Sequence, residues 1–182
     1  MELPNRPSKI DLDIIDKITS KDNVYDIQKC KFSNNTQRIR KQHITNDIIS
    51  TDKTETHKYK IYDTINKTNP TGKYYYYDKL DNDVGKKRII MSNKGYLLPF
   101  TNEDNNVTYS DNFSYILCEN NLLELLNSKI VKYLIYQFSK NGFDRINCVK
   151  MLKKVKLTND IYESFNLTKE EVKIIESSNI VK

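Results

Sequence analysis

The 182-residue sequence predicts an α+β fold: a short N-terminal helix, a central, mainly antiparallel twisted sheet and a C-terminal cluster of three to four helices. Three observations predict it. Apolar residues alternate with a period of two in short runs between residues 57 and 118. From about residue 120 they recur at helical spacing. The two patterns are segregated along the chain, which argues against an alternating α/β fold. The expected organisation is therefore an N-terminal helix and irregular segment over 1–56, and a second domain over 57–182, with strands in 57–118 and a helical tail in 120–178.

The elements follow in order. Ser8 to Ile18 reads as an amphipathic helix capped by Ser8, with Asp11 in its first turn and Ile10, Ile14, Ile15 and Ile18 on one side. Residues 19–56 are polar and poorly periodic, and predict loops with at most one short strand. Lys58–Asp63 alternates, with Tyr59 and Ile61 on one face and Lys58, Lys60 and Tyr62 on the other. Further strands are expected at Lys73–Asp78, Lys87–Ser92, Tyr96–Phe100 and Phe113–Cys118. Gly85 and Gly95 mark turns, and Pro99 suits an edge or a strand end. Asn127 is the expected cap of a helix reaching about Lys140, with Gly142 as its stop. Ile130, Val131, Leu134, Ile135 and Phe138 form its apolar stripe. Further helices are expected at Asp144–Lys154, at Thr158–Phe165, and from Thr168, where Thr168 and Glu171 make a capping box.

Composition narrows the function. Hydrophobic residues are 37% of the chain, enough for a core, and the net charge is +6. A basic balance favours nucleic acid or another polyanion, although an AT-rich genome enriches the same lysines. Cys30, Cys118 and Cys148 are unpaired by any short spacing and predict reduced thiols. No apolar run reaches membrane-spanning length and no leader pattern opens the chain. The expectation is an intracellular, cytoplasmic protein with no membrane partner, in the host cytoplasm or virion if the chain is viral.

Catalytic signatures are missing. Four glycines leave no G-x-G-x-x-G and no G-x-x-x-x-G-K-[ST] phosphate loop. His43 and His57 with Cys30 give no zinc spacing. Asp160, Glu171 and Lys173 make a poor nuclease set because Glu171 serves the capping box. Helix-turn-helix is disfavoured by Glu170, Glu171 and Glu176 on the second helix. No catalytic residue, metal or cofactor is expected.

Two regions carry binding chemistry. Pro70–Phe100 concentrates three of the four glycines, four consecutive tyrosines and the run Lys86-Lys87-Arg88, followed by Lys94. Alternation sends Tyr74 and Tyr76 one way and Tyr75 and Tyr77 the other, so one pair is core and the other, taken as Tyr74 and Tyr76, is free to touch a ligand. Arg88 is either a base reader or a strand-edge gatekeeper. The second region is Lys129–Lys156, eight basic residues against Asp144 alone, a net of +7. Lys129, Lys132, Tyr136 and Lys140 share one helix face, and Lys150, Lys153 and Lys154 extend the basic run. With few carboxylates nearby in sequence, this face reads as a phosphate contact or as a solvated surface.

The order "GKKRIIMSNKGYLLPF", "YSDNFSYIL", "LLNSKIVKYLIYQFSKNGFDRINCVKML" and "LTNDIYESFNLTKEEVKIIE" resembles the C-terminal target-recognition region of adenine-N6 DNA methyltransferases of the Eco57I and TaqI type, found in restriction-modification systems. The matching features are the lysine-rich strand before Gly95, the Leu-Asn-Ser-Lys of Leu126–Lys129, and the Leu-Thr-x-Glu-Glu of Leu167–Glu171. The resemblance covers about residues 57 to 177 and implies a DNA-binding recognition module, with duplex DNA as partner. The family's catalytic motif Asn-Pro-Pro-Tyr and glycine-bearing S-adenosylmethionine site have no counterpart; only Asn69-Pro70-Thr71 remains. Lys153-Lys154-Val155-Lys156 also replaces the family's proline-bearing connector. The module is therefore expected to be non-catalytic by itself, with a separate methyltransferase catalytic subunit as a second partner. The alternative is a protein-interaction or structural module.

Overall fold

The structure, a computed structural model, describes residues 7–31, 39, 41–64, 72–80, 85–93, 99–104, 106–138 and 145–178. It is α+β, with seven helices and seven strands among the described residues. The strands form two sheets rather than one. The chain divides into two compact units. One joins Met1–Asp26 to Glu119–Lys182, and the other is Ile27–Cys118. The division therefore lies elsewhere than the expected boundary at residue 56, because the N-terminal helix belongs with the C-terminal helices.

The helical unit begins with α1, Lys9–Ile18. Ser8 caps it reciprocally: its backbone N–H donates to Asp11 Oδ2 at 2.8 Å and its hydroxyl accepts from the Asp11 N–H at 3.3 Å. α3, Leu122–Asn127, and α4, Lys129–Phe138, are separated by the extended Ser128. The expected cap at Asn127 is not formed, because its amide donates to the Leu123 carbonyl of its own helix at 3.0 Å. The Lys132 N–H donates instead to the Ser128 carbonyl. α4 packs on α3, on α5 (Arg145–Lys150) and on α7 (Lys169–Ser177). It buries Ile130, Val131, Tyr133 and Leu134, while Phe138, expected in the stripe, is exposed. The expected stop at Gly142 lies outside the described residues.

α5 ends earlier than the sequence suggests. The Lys153 N–H donates to the Ile18 carbonyl at 2.9 Å, and the Ser20 N–H to the Met151 carbonyl at 3.0 Å. This pairing pulls Leu152 and Lys153 into extended backbone beside Thr19 and Val24. The short α6, Ile161–Ser164, is capped by the Asp160 carboxylate, and α7 carries the expected Thr168–Glu171 capping box.

The strand unit contains a three-stranded sheet of order β3-β2-β6: Lys73–Tyr77, Tyr59–Thr64 and Val107–Tyr109. β2 runs antiparallel to β3 and parallel to β6. The four-stranded sheet has order β1-β7-β4-β5: Gln28–Lys29, Phe113–Leu117, Arg88–Ser92 and Phe100–Asn102. Pro99 precedes the edge strand β5, as expected, whereas the expected strand over 96–98 lies outside the described residues. The polar segment 19–56 is more ordered than its composition suggests. It supplies β1, the short helix α2 (Lys41–Thr45), and Ile49 to the core.

Two core clusters are seen in the strand unit among the described residues. Ile49, Ile61, Tyr75 and Tyr77 fill one face of the three-stranded sheet. Cys30, Ile90, Val107, Tyr109 and Phe113 form the other, with Tyr62, Phe100 and Tyr115 packed against it. That second cluster stacks part of the opposite face of the three-stranded sheet on the four-stranded one.

Ser110–Asn112 joins the sheets, because β6 and β7 are consecutive yet belong to different ones. All three turn residues are buried. Asp63 Oδ1 accepts from the Ser110 hydroxyl at 3.0 Å and the Asn112 amide at 2.9 Å. The Asn93 amide donates to the Asp111 carbonyl at 3.0 Å, and its Oδ1 accepts from the Ser114 hydroxyl at 2.8 Å.

Two predictions follow from this packing. Ile61→Ala should destabilise the strand unit by about 2–5 kcal/mol, read as a lower urea midpoint. Asp63→Ala should cost about 1–3 kcal/mol, because it leaves the buried Ser110 hydroxyl without its acceptor and the Asn112 amide with only the backbone carbonyl of residue 63. An unchanged midpoint for Asp63→Ala would remove the turn from its proposed structural role.

Candidate nucleic-acid interface

The open face of the three-stranded sheet is a grid dictated by register. Tyr62 lies between Tyr74 and Tyr109, and Lys60 between Tyr76 and Val107. Period-two geometry puts all six on one face. Tyr109 and Val107, at β6, are covered by the second core cluster. Toward β3 the face opens: Tyr62, Tyr76 and Lys60 are half-buried, and Tyr74 is 40% exposed.

The rings form a continuous row. Tyr109 stacks on Tyr62 at 5.8 Å, Tyr62 meets Tyr74 edge-on at 5.9 Å, and Tyr74 meets Tyr76 at 5.8 Å. The Lys60 ammonium sits 4.4 Å from the Tyr74 centroid and 5.7 Å from that of Tyr62. At this exposure such cation–π contacts contribute about 0.5–1 kcal/mol each, and they hold the charge over the rings. Lys73 is excluded from the site, since its ammonium lies over Tyr75 on the opposite face. Its hydrogen bond with Tyr75 raises its pKa. Burial pushes the Tyr109 phenol upward, so this inner end of the row stays neutral.

The two tyrosine pairs separate as the alternation requires. Tyr75 and Tyr77 are core; Tyr74 and Tyr76 are on the open face. Arg88 does not stand at a strand edge. β4 is flanked by β7 and β5, and Arg88 shares the face of Ile90 toward the second cluster. It is 1% exposed, with its guanidinium 5.5 Å from the Tyr115 ring centroid. Neither a base-reading nor an edge-gatekeeping role suits that position. Lys86 is exposed. Lys87 is exposed but pairs with Glu103 at 2.9 Å, which raises its pKa. Lys94 and Lys140 lie outside the described residues.

Two lysines of the basic run in the helical unit, Lys129 and Lys154, are matched by carboxylates. Lys129 Nζ donates to Glu176 Oε2 at 2.6 Å and to the Glu176 carbonyl at 2.9 Å. The Tyr162 hydroxyl donates to Glu176 Oε1. Lys154 pairs with Glu119 at 2.7 Å, and Lys17 with the buried Glu171 at 2.7 Å. Lys153 is half-buried in the extended segment, not on a helix face. Lys132 and Lys150 are exposed without an ion pair among the described residues, and Tyr136 is 57% exposed. Lys156 is likewise exposed without an ion pair among the described residues, so the expected basic surface loses Lys129 and Lys154 to carboxylates and keeps Lys132, Lys150 and Lys156.

A cleft of about 560 Å³ between the N-termini of α1 and α7 is lined by Lys9, Asp13, Glu170 and Glu171, with Glu171 already paired to Lys17. Among the described residues no group of three or more His, Cys, Asp or Glu side chains is placed to hold a metal ion. The His57 ring is engaged at both nitrogens, by the Asp47 carbonyl at 3.0 Å and by the hydroxyls of Thr54 and Thr56. No helix among the described residues is long and apolar enough to cross a membrane.

Sequence reasoning omitted Lys60 and Tyr62 from the site, although their alternation was legible; the missing signal was the register that sets them beside Tyr76 and Tyr74. Comparison with protein-family models and with curated proteins finds no match to this chain.

The paired carboxylates predict an acid-sensitive helical unit. Lys129, then Tyr162, hold the Glu176 carboxyl below its ordinary 4.5. Burial alone would raise Glu171, but its bonds from Lys17 and Thr168 outweigh it and leave it lowered from 4.5. Depressed folded values mean that this stability is present above pH 4.5 and is lost as pH falls through the folded values. Urea titrations across that window should show it, and Glu171→Gln with Glu176→Gln should flatten the decline. An equally steep decline in the double variant would refute the assignment.

Proposed function

We propose that this chain is a DNA-binding recognition module, non-catalytic by itself, that meets its ligand with the Lys60–Tyr62–Tyr74–Tyr76 face. The observation that carries this reading is the continuous row of rings with an ammonium held over it, open at β3. Rings and cations together match a ligand with both bases and phosphates. The net charge of +6 has the right sign. The resemblance to the target-recognition region of adenine-N6 DNA methyltransferases supports the same role in a restriction-modification setting. Methyl transfer would then fall to a catalytic part that supplies the missing Asn-Pro-Pro-Tyr and cofactor site.

A second reading, docking to a separate catalytic subunit, draws on α4, where Tyr136 and Phe138 are 57% and 48% exposed. In that case co-purification with such a subunit would be lost in Tyr136→Ser with Phe138→Ser, while DNA binding persisted.

Fluorescence anisotropy with labelled DNA at two salt concentrations tests the first reading. Binding should weaken with salt, and Lys60→Ala should flatten the log–log slope by about one unit. Lys129→Ala should leave the slope unchanged, because that charge is committed to Glu176. Failure to bind DNA even at low salt would overturn the proposal.

A further inference from the structure

Resting on the DNA-binding part of that reading, and departing from the duplex partner that the resemblance implies, we propose that the tyrosine face takes an unstacked strand, with a base laid against the Tyr74 ring and its phosphate drawn to Lys60.

Shape supplies the first argument. A strand spacing of about 4.8 Å makes the backbone of three strands roughly 10 Å across before side chains are added. The major groove of B-DNA, about 12 Å wide, admits a helix or a two-stranded ribbon. A three-stranded sheet presenting its face is too broad to reach base edges there. It could touch a duplex only at its phosphates, and a row of rings is poorly suited to that.

Ring geometry supplies the second. Tyr62, Tyr74 and Tyr76 are successively edge-on, at 68° and 88°, so none covers its neighbour as a stacked pair would. Tyr109, in contrast, is stacked on Tyr62 at 23° and is buried. The inner end of the row is therefore saturated by the protein's own ring, and the outer end, Tyr74, remains accessible. Tyr74 carries the Lys60 ammonium but no stacked ring, and an unstacked base offers that flat partner at its exposed surface, whereas bases within a duplex already stack on each other.

Charge placement supplies the third. Lys60 lies beside Tyr74 rather than in a separate patch, so one nucleotide can engage both. Lys58, just before β2, is exposed and adds a second cation near this end of the strand.

The test compares a labelled oligothymidylate with the same strand annealed to its complement, using the full chain and the variants Tyr74→Ala and Tyr74→Phe. The single strand should bind at least about tenfold more tightly. Tyr74→Ala should weaken it roughly ten- to a hundredfold, and Tyr74→Phe, which keeps the ring and loses only the hydroxyl, should bind as the parent does. Unchanged thermal unfolding in both variants would establish that folding is intact. A duplex bound as tightly as the single strand would overturn this inference while leaving DNA binding in place. So would a Tyr74→Phe variant as weak as Tyr74→Ala, or a Tyr74→Ala variant that binds like the parent. Binding of neither probe at low salt would overturn the inference and the DNA-binding function together.

Discussion

The strand unit depends on one constraint: the backbone must pass from one sheet to the other within the three residues Ser110, Asp111 and Asn112. A turn so short is buried, and its polar groups must find partners inside the protein. Asp63 at the end of β2 and Asn93 after β4, one from each sheet, provide them for the Ser110 and Asn112 side chains and the Asp111 carbonyl. The Ser110 N–H also donates to the Tyr62 carbonyl at 2.9 Å, which continues the parallel β2–β6 pairing into the turn. Register along β2 is thereby tied to the turn, and register decides which tyrosines face outward. A one-residue slip would exchange Tyr74 and Tyr76 for Tyr75 and Tyr77 and expose the core set.

The same constraint explains why the open face is graded. Stacking the sheets covers it at β6, where Tyr109 and Val107 join Ile90 and Phe113. β3 lies farthest from that contact within its sheet, so its rings retain exposure. Its other edge is engaged at Tyr76, which exchanges two backbone hydrogen bonds with Ser50. The β3 edge of the sheet is thus occupied in part.

Electrostatics in the helical unit follows a different logic. Glu176 gathers Lys129 and Tyr162 and so links α4, α6 and α7. These groups are partly exposed, so the ion pairs contribute modestly to stability. Their larger consequence is for the surface, since a lysine that holds a carboxylate brings little net charge to a phosphate. The positive charge counted along Lys129–Lys156 is therefore lowered at Lys129 and Lys154, while Lys132, Lys150 and Lys156 remain exposed.

Local chemistry made much of this protein legible from its residues. Caps at Ser8 and Thr168 act over three residues, and strand alternation acts over two, so α1, α7 and the division of the tyrosine row could be read directly. The α+β class followed from the segregation of those periods. What remained hidden depends on residues far apart in sequence. Arg88 looked available until β5 and β7 flanked its strand; Lys129 and Lys154 looked unpaired until Glu176 and Glu119 reached them. α5 was shortened by backbone bonds from the segment after α1, and β6 found a parallel partner in β2. Sequence by itself determined the kinds of element and the two faces of each. Only tertiary structure decided which face is covered and which charge is spent, because burial and ion pairing depend on spatial neighbours that short-range periodicity does not encode.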